Sequence, residues 1–131
     1  MTKTLLVDGN NLVKIGFHGV KDYYHNGKHI GALWHFVNTI RRFIDEQNFD
    51  KVVVFWDGEG SSLARKIIYP QYKENRKPGQ DFKEDSFYEQ KTRVQQYLEE
   101  MFVRQVDINN NEADDLIAYY CQIANDEVIT I

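Results

Sequence analysis

Five carboxylates stand where a parallel sheet would gather them. Asp8 follows the apolar run Leu5-Leu6-Val7, and Asp57 follows Val52 to Trp56. Glu112, Asp114 and Asp115 come just after the alternating segment Val103 to Ile108. Ligands of open parallel sheets sit beyond the carboxyl ends of the strands, so these acids are expected along one edge. Clustered carboxylates repel and raise one another's pKa unless a cation neutralises them. An all-oxygen donor set suits a hard divalent cation, Mg²⁺ or Mn²⁺. Each piece has an ordinary explanation too. An Asp before Gly9-Asn10 is a common turn residue, and acids in a first helical turn are favoured by the helix dipole. The coincidence of three such positions on equivalent edges is what points to a metal site.

A second group of residues has the opposite charge. Residues 65–77 contain Arg65, Lys66, Lys73, Arg76 and Lys77 against only Glu74, a local charge of +4 in a chain of net charge −4. The remainder therefore carries −8. Tyr69 and Tyr72 interleave with the basic residues. Such cations can neutralise phosphates, and tyrosine can stack on a base. A solvated surface loop would have the same composition, but this one follows Asp57 directly and is expected to overhang the carboxylate edge. Metal ligands beside a phosphate-binding segment are what phosphodiester hydrolysis requires.

Other chemistries are disfavoured. The lone Cys121 cannot form an internal disulfide, and cysteine-based zinc sites are excluded. His18, His25, His29 and His35 lie in the first third, away from the acids; His35 is expected on a helix surface and the others in loops. Neither a Gly-x-Gly-x-x-Gly nor a Walker-type loop occurs. An Asp-x-Asp phosphatase motif would need an acid where Asn10 stands. The longest strongly apolar run, Val52 to Trp56, is too short to cross a bilayer, and no signal peptide is visible. A cytoplasmic monomer away from membranes is expected.

The elements that must position these groups alternate. Thr4–Asp8, Lys51–Asp57, Val103–Ile108 and Glu127–Ile131 read as strands. Residues 31–47, 82–102 and 112–125 read as helices from apolar residues spaced three and four apart. Met101 and Phe102 belong to the expected apolar face of the second. Ser61 to Ile68 reads as a short helix ended by Pro70, with a further break at Pro78-Gly79. With 131 residues, these elements make one α/β domain whose mostly parallel sheet is covered on both faces.

Four segments together resemble the N-terminal part of the 5′→3′ exonuclease and flap endonuclease family, bacterial or phage type. They are Leu-Leu-Val-Asp-Gly-Asn-Asn at 5–11, Val-Val-Phe-Trp-Asp-Gly at 53–58, Tyr-Pro-Gln-Tyr-Lys-Glu-Asn-Arg at 69–76, and Glu-Ala-Asp-Asp-Leu-Ile-Ala at 112–118. The resemblance implies a three-layer PIN-like domain. It implies Mg²⁺-dependent cleavage of DNA, or of RNA in RNA–DNA hybrids, at single-stranded 5′ ends and flaps. Asp8, Asp57, Glu112, Asp114 and Asp115 would belong to the metal site. Lys73 and Arg76 would contact the scissile phosphate as catalytic residues, and Tyr72 would stack on a base near the cut. Together with Arg65, Lys66 and Lys77 they form the expected DNA-binding set. The helix within 82–102 would form part of an arch over the strand.

Family members continue past a strand like Glu127–Ile131 into an Asp-x-Asp motif, further acids and a helix-hairpin-helix. None of these lies within 1–131, so a domain truncated at its C-terminal end is expected, weak or inactive by itself. The alternative reading is a truncated, non-catalytic nucleic-acid-binding module.

Overall fold

The computed structural model describes residues 2–20, 23–60 and 84–131. β1 (Lys3–Asp8) leads into α1 (Gly9–Gly19), then a small hairpin, β2 (Tyr24–His25) and β3 (Lys28–His29). α2 (Gly31–Gln47) and β4 (Lys51–Phe55) follow. The chain then runs through α3 (Glu84–Glu100), β5 (Arg104–Val106), α4 (Ala113–Ile123) and β6 (Glu127–Thr130).

The sheet has strand order β5-β4-β1-β6, every pair parallel. β1 occupies an interior position, which explains its unbroken apolar run: Leu5, Leu6 and Val7 are all fully buried. A strand covered on both faces has no polar face to alternate with. In register, Leu6 lies opposite Val53 and Thr130, and Val54 lies opposite Gln105.

Two unequal cores flank the sheet. On one face Leu5, Val7, Val54 and Trp56 pack with Leu12, Val13 and Phe17 of α1, Phe36 and Ile40 of α2, and Val94 and Leu98 of α3. On the other, Leu6, Val53 and Phe55 meet Ala113 and the half-buried Leu116, Ile117 and Tyr120 of α4. Burying each large apolar side chain contributes roughly 1.5–3 kcal/mol, so the first face carries most of the stabilisation. Among the described residues, three helices, a parallel sheet and one helix make the expected three layers.

Several local expectations change. Residues 9–19 form a helix that the sequence pattern did not single out, because Gly9-Asn10-Asn11 resembles a turn. The apolar period Leu12, Val13, Gly16, Phe17 is nevertheless present and buried. His35 is half-buried rather than on the open helix surface: it packs where α2 crosses α1 at Gly16, and its Nδ1 is enclosed without a hydrogen-bond partner. His29 lies in the hairpin, its Nε2 2.7 Å from the Val20 carbonyl. Met101 and Phe102 fall beyond the end of α3 and are exposed rather than on its apolar face. β4 and β5 are shorter than expected, but their continuation stays in register through Trp56, whose N–H donates to the Val106 carbonyl at 2.9 Å. The expected short helix at 61–68 and the break at Pro78-Gly79 lie outside the described residues.

Among the described residues, no helix is long and apolar enough to cross a membrane.

Candidate metal and nucleic-acid site

Asp8 ends β1 and caps α1. Its backbone is extended and its Oδ1 accepts the Asn11 N–H at 3.1 Å. Asp8 is thus a helix N-cap rather than a turn residue, and it stands at the carboxyl end of β1. Gly9 permits this entry: a Cβ there would stand 2.7 Å from the Trp56 ring. The helix can start directly against the end of β4 only because nothing projects from that position.

Asp57 follows Trp56 on the neighbouring strand. Its N–H donates to Asn10 Oδ1 at 2.9 Å, and its Oδ1 accepts the Ala113 N–H at 2.8 Å. It thus bridges the N-termini of α1 and α4. Gly58 continues the chain against Ile108, where a Cβ would fall 1.9 Å from the carbonyl oxygen. Only a glycine lets the two loops close over the edge at this distance.

Glu112, Asp114 and Asp115 open α4. One carboxylate oxygen from each lies within 4.8 Å of the others. Glu112 is the N-cap residue but makes no side-chain cap bond, and it is 4% exposed. Asp114 and Asp115 are exposed in the first turn. Capping thus fails to explain Glu112, whose side chain accepts none of the N–H groups of the first turn.

Asp8 and Asp57 lie outside this tight trio but within its field. Burial pushes the Asp8 carboxyl above its ordinary value of 3.8, and the charges of Asp57 and Asp114 raise it further. The Asn11 N–H and Lys14 act in the opposite direction without cancelling the rise. Acids from β1, the end of β4 and α4 therefore repel one another across one edge. An all-oxygen set under mutual repulsion fits a hard divalent cation.

Two participants escaped the sequence reading. Lys91 on α3 lies half-buried with Nζ 5.4 Å from the centre of the Trp56 ring. Burial lowers its pKa, while Asp57 and Asp107 pull it back up. Asp107, just past β5, is a further strand-end acid, detectable by the rule that picked out Asp8 and Asp57. Lys91 had no such signal, since its sequence neighbours are polar and its partners lie on other elements. Arg65, Lys66, Tyr72, Lys73, Arg76 and Lys77 all fall outside the described residues.

A parallel sheet covered on both faces, with acids gathered at its carboxyl edge, defines an α/β domain of the PIN-like class. Residues 3–131 match the family described as 5′-3′ exonuclease, N-terminal resolvase-like domain, and the chain belongs to that family. It is 33% identical over 132 aligned positions to a 5′-3′ exonuclease of Halalkalibacterium halodurans, covering 94% of this chain and 42% of that protein. It is 31% identical over 119 residues to flap endonuclease Xni of Shewanella pealeana, covering 90% and 43%. It is 30% identical over 116 residues to DNA polymerase I of Caldicellulosiruptor bescii, covering 88% of this chain and 13% of that one. Among solved structures it resembles the T5 5′-exonuclease with bound zinc, at a TM-score of 0.69 and 25% identity, over 92% of this chain and 44% of that one. It shares its fold with a bacteriophage T5 flap endonuclease complexed with DNA and metal ions, at a TM-score of 0.66 and 24% identity, over the same shares. The chain thus spans less than half the length of the relatives it matches.

Proposed function

We propose that this domain takes part in divalent-metal-dependent hydrolysis of phosphodiesters in DNA, or in the RNA of RNA–DNA hybrids, at single-stranded 5′ ends and flaps. The observation behind this reading is the gathering of acids at one edge, where Asp57 Oδ1 accepts the Ala113 N–H at 2.8 Å beside the trio Glu112, Asp114 and Asp115. Asp8, Asp57, Glu112, Asp114 and Asp115 would hold Mg²⁺ or Mn²⁺, some of them through water. A bound ion would activate water and offset charge on the phosphate. The chain's own residues do the rest. Asp57 and Asn10 fix the ends of α1 and α4 so that the acids keep their spacing. Lys73 and Arg76 hold the scissile phosphate, Tyr72 stacks on the neighbouring base, and Arg65, Lys66 and Lys77 follow the strand. The domain acts as a monomer and forms the N-terminal part of the nuclease.

The test is a labelled 5′-flap DNA incubated with the chain, and with a version extended through the further acids, with and without Mg²⁺, beside Asp8→Ala in each. Mg²⁺-dependent shortening of the flap that Asp8→Ala lowers by roughly 10²-fold or more supports the reading. Binding of single strands that weakens with salt, with no cleavage under any metal, would instead favour the non-catalytic module. Affinity indifferent to salt and an absence of cleavage would defeat both.

A further inference from the structure

The indole of Trp56 forms a crossbar at the carboxylate edge. Its six-membered ring abuts Gly9, where a Cβ would stand 2.7 Å from Cε3. At the opposite end its Nε1–H donates to Gln105 Oε1 at 2.8 Å, and Gln105 Nε2 donates to the Gln95 carbonyl of α3 at 3.0 Å. Phe36 of α2 stacks on the ring, with centroids 5.9 Å apart and planes 11° from parallel. The ring therefore reaches from β5, past its own strand, to the start of α1. Two of the candidate ligands adjoin it in sequence: Asp8 precedes Gly9, and Asp57 follows Trp56. The two backbones are tied again one residue further on, where the Asp57 N–H donates to Asn10 Oδ1.

Gln105 is out of place on packing grounds. It lies opposite Val54 in register, and Val54 belongs to the larger core. Residues opposite one another on paired strands share a face, so an apolar side chain would suit this position. Both ends of the Gln105 amide are bonded, which offsets the cost of placing it there. A fully bonded polar link selects one arrangement of its neighbours. Here it selects one orientation of an indole that apolar contact alone would let turn. If the N–H end is released, the ring can rotate and the end against Gly9 moves with it.

We propose that Gln105 is a positioning residue of the metal site: by fixing the Trp56 indole, it sets the spacing between Asp8 and Asp57. The proposal rests on the metal reading above and adds to it a residue that acts through Trp56.

The experiment is calorimetric titration of the metal-free chain with Mg²⁺, in wild type, Gln105→Leu, Trp56→Phe, the double variant and Asp8→Asn. Gln105→Leu keeps the volume and removes the link. Trp56→Phe keeps an aromatic ring and removes the N–H. Each should weaken Mg²⁺ binding by about tenfold, the low end of the loss common when a residue that holds metal ligands in place is removed. The double variant should bind no more weakly than the weaker single one, because both changes delete the same bond. Ile40→Val, in the same core, is the packing control. It should lower the melting temperature in chelator yet keep Mg²⁺ affinity within about twofold of wild type, as expected of an independent site. Three results would each overturn the role of Gln105: wild-type affinity in Gln105→Leu, losses that multiply in the double variant, or an equal loss in Ile40→Val. Trp56→Phe carries the same prediction if melts show that Gln105→Leu does not fold. If Asp8→Asn loses binding while the Gln105 and Trp56 variants keep it, the metal site stands without the crossbar. A wild type that binds no Mg²⁺ overturns both.

Discussion

The Asp57 carboxylate accepts the backbone N–H of Ala113 at 2.8 Å across 56 residues of sequence. One side chain therefore both caps a helix and faces the carboxylate edge. Helix N-termini attract anions through their orphan N–H groups and dipole, so α4 helps fix the orientation of Asp57. This divides its two roles experimentally. Asp57→Asn keeps an oxygen for Ala113 and removes the charge. It should melt near wild type in chelator yet lose most of its Mg²⁺-induced stabilisation. Asp57→Ala loses the cap as well and should be destabilised by about 1 kcal/mol. Paired melts with and without Mg²⁺ separate the two, and equal stability of both variants in chelator would show that the cap contributes nothing.

Asp8 should behave as a residue whose charge opposes folding until a metal binds. Its folded-state pKa is raised, first by burial and then by Asp57 and Asp114. For an acid shifted upward, the folded protein binds the proton more readily than the unfolded chain between the two pKa values. The stability contribution therefore falls as pH rises through the folded value and is regained on acidification toward 3.8. Asp8→Asn keeps a good N-cap for α1 and removes the charge. In chelator at neutral pH it should gain about 0.5–1 kcal/mol, in the range common for relief of functional strain. The gain should shrink as pH falls. Denaturation curves from neutral to mildly acidic pH check the slope, and an advantage that grows on acidification would reverse the argument.

The strands and the acids at their ends were legible because each is a local pattern: a short apolar run, then Asp or a turn. β1 and β4 have that pattern, and so does the acidic opening of α4. What the pattern could not reveal is reciprocity. Nothing near Asp57 in sequence announces that it caps α4, and nothing near Lys91 announces Trp56. α1 was obscured for a related reason. Gly9 and Asn10 look like loop residues, yet each is required by a partner elsewhere, the Trp56 ring and the Asp57 N–H. Glu112 looked like an ordinary acid of a helical first turn, and only its burial distinguishes it.

Gln90 repeats the device of Asp57 on the opposite core. α2 begins after Ile30, which has no capping side chain, and Gln90 supplies the missing acceptor from α3. Gln90→Leu matches the volume but leaves the Ala32 N–H buried without its acceptor and His29 Nδ1 without its donor. The penalty for such groups is roughly 1–3 kcal/mol. Amide hydrogen exchange should accelerate at the start of α2 before it changes in β1 or β4. A loss of protection spread evenly over the sheet would mean that Gln90 acts through general packing instead.

Phe102 closes α3 in a conformation that suits glycine better. Its φ is 59°, and it is 94% exposed. The Val103 N–H donates to the Leu98 carbonyl at 3.0 Å and the Phe102 N–H to the Glu99 carbonyl at 3.1 Å, the double closure that ends helices at a left-handed residue. A side chain in this region costs about 1 kcal/mol relative to glycine, and an exposed ring recovers little of that by burial. Phe102→Gly should therefore raise stability by up to about 1 kcal/mol, despite deleting a large apolar group. Phe102→Ala should gain much less, since the Cβ strain remains. Thermal melts of the two variants decide it: equal effects would place the cost in the exposed ring rather than in the backbone.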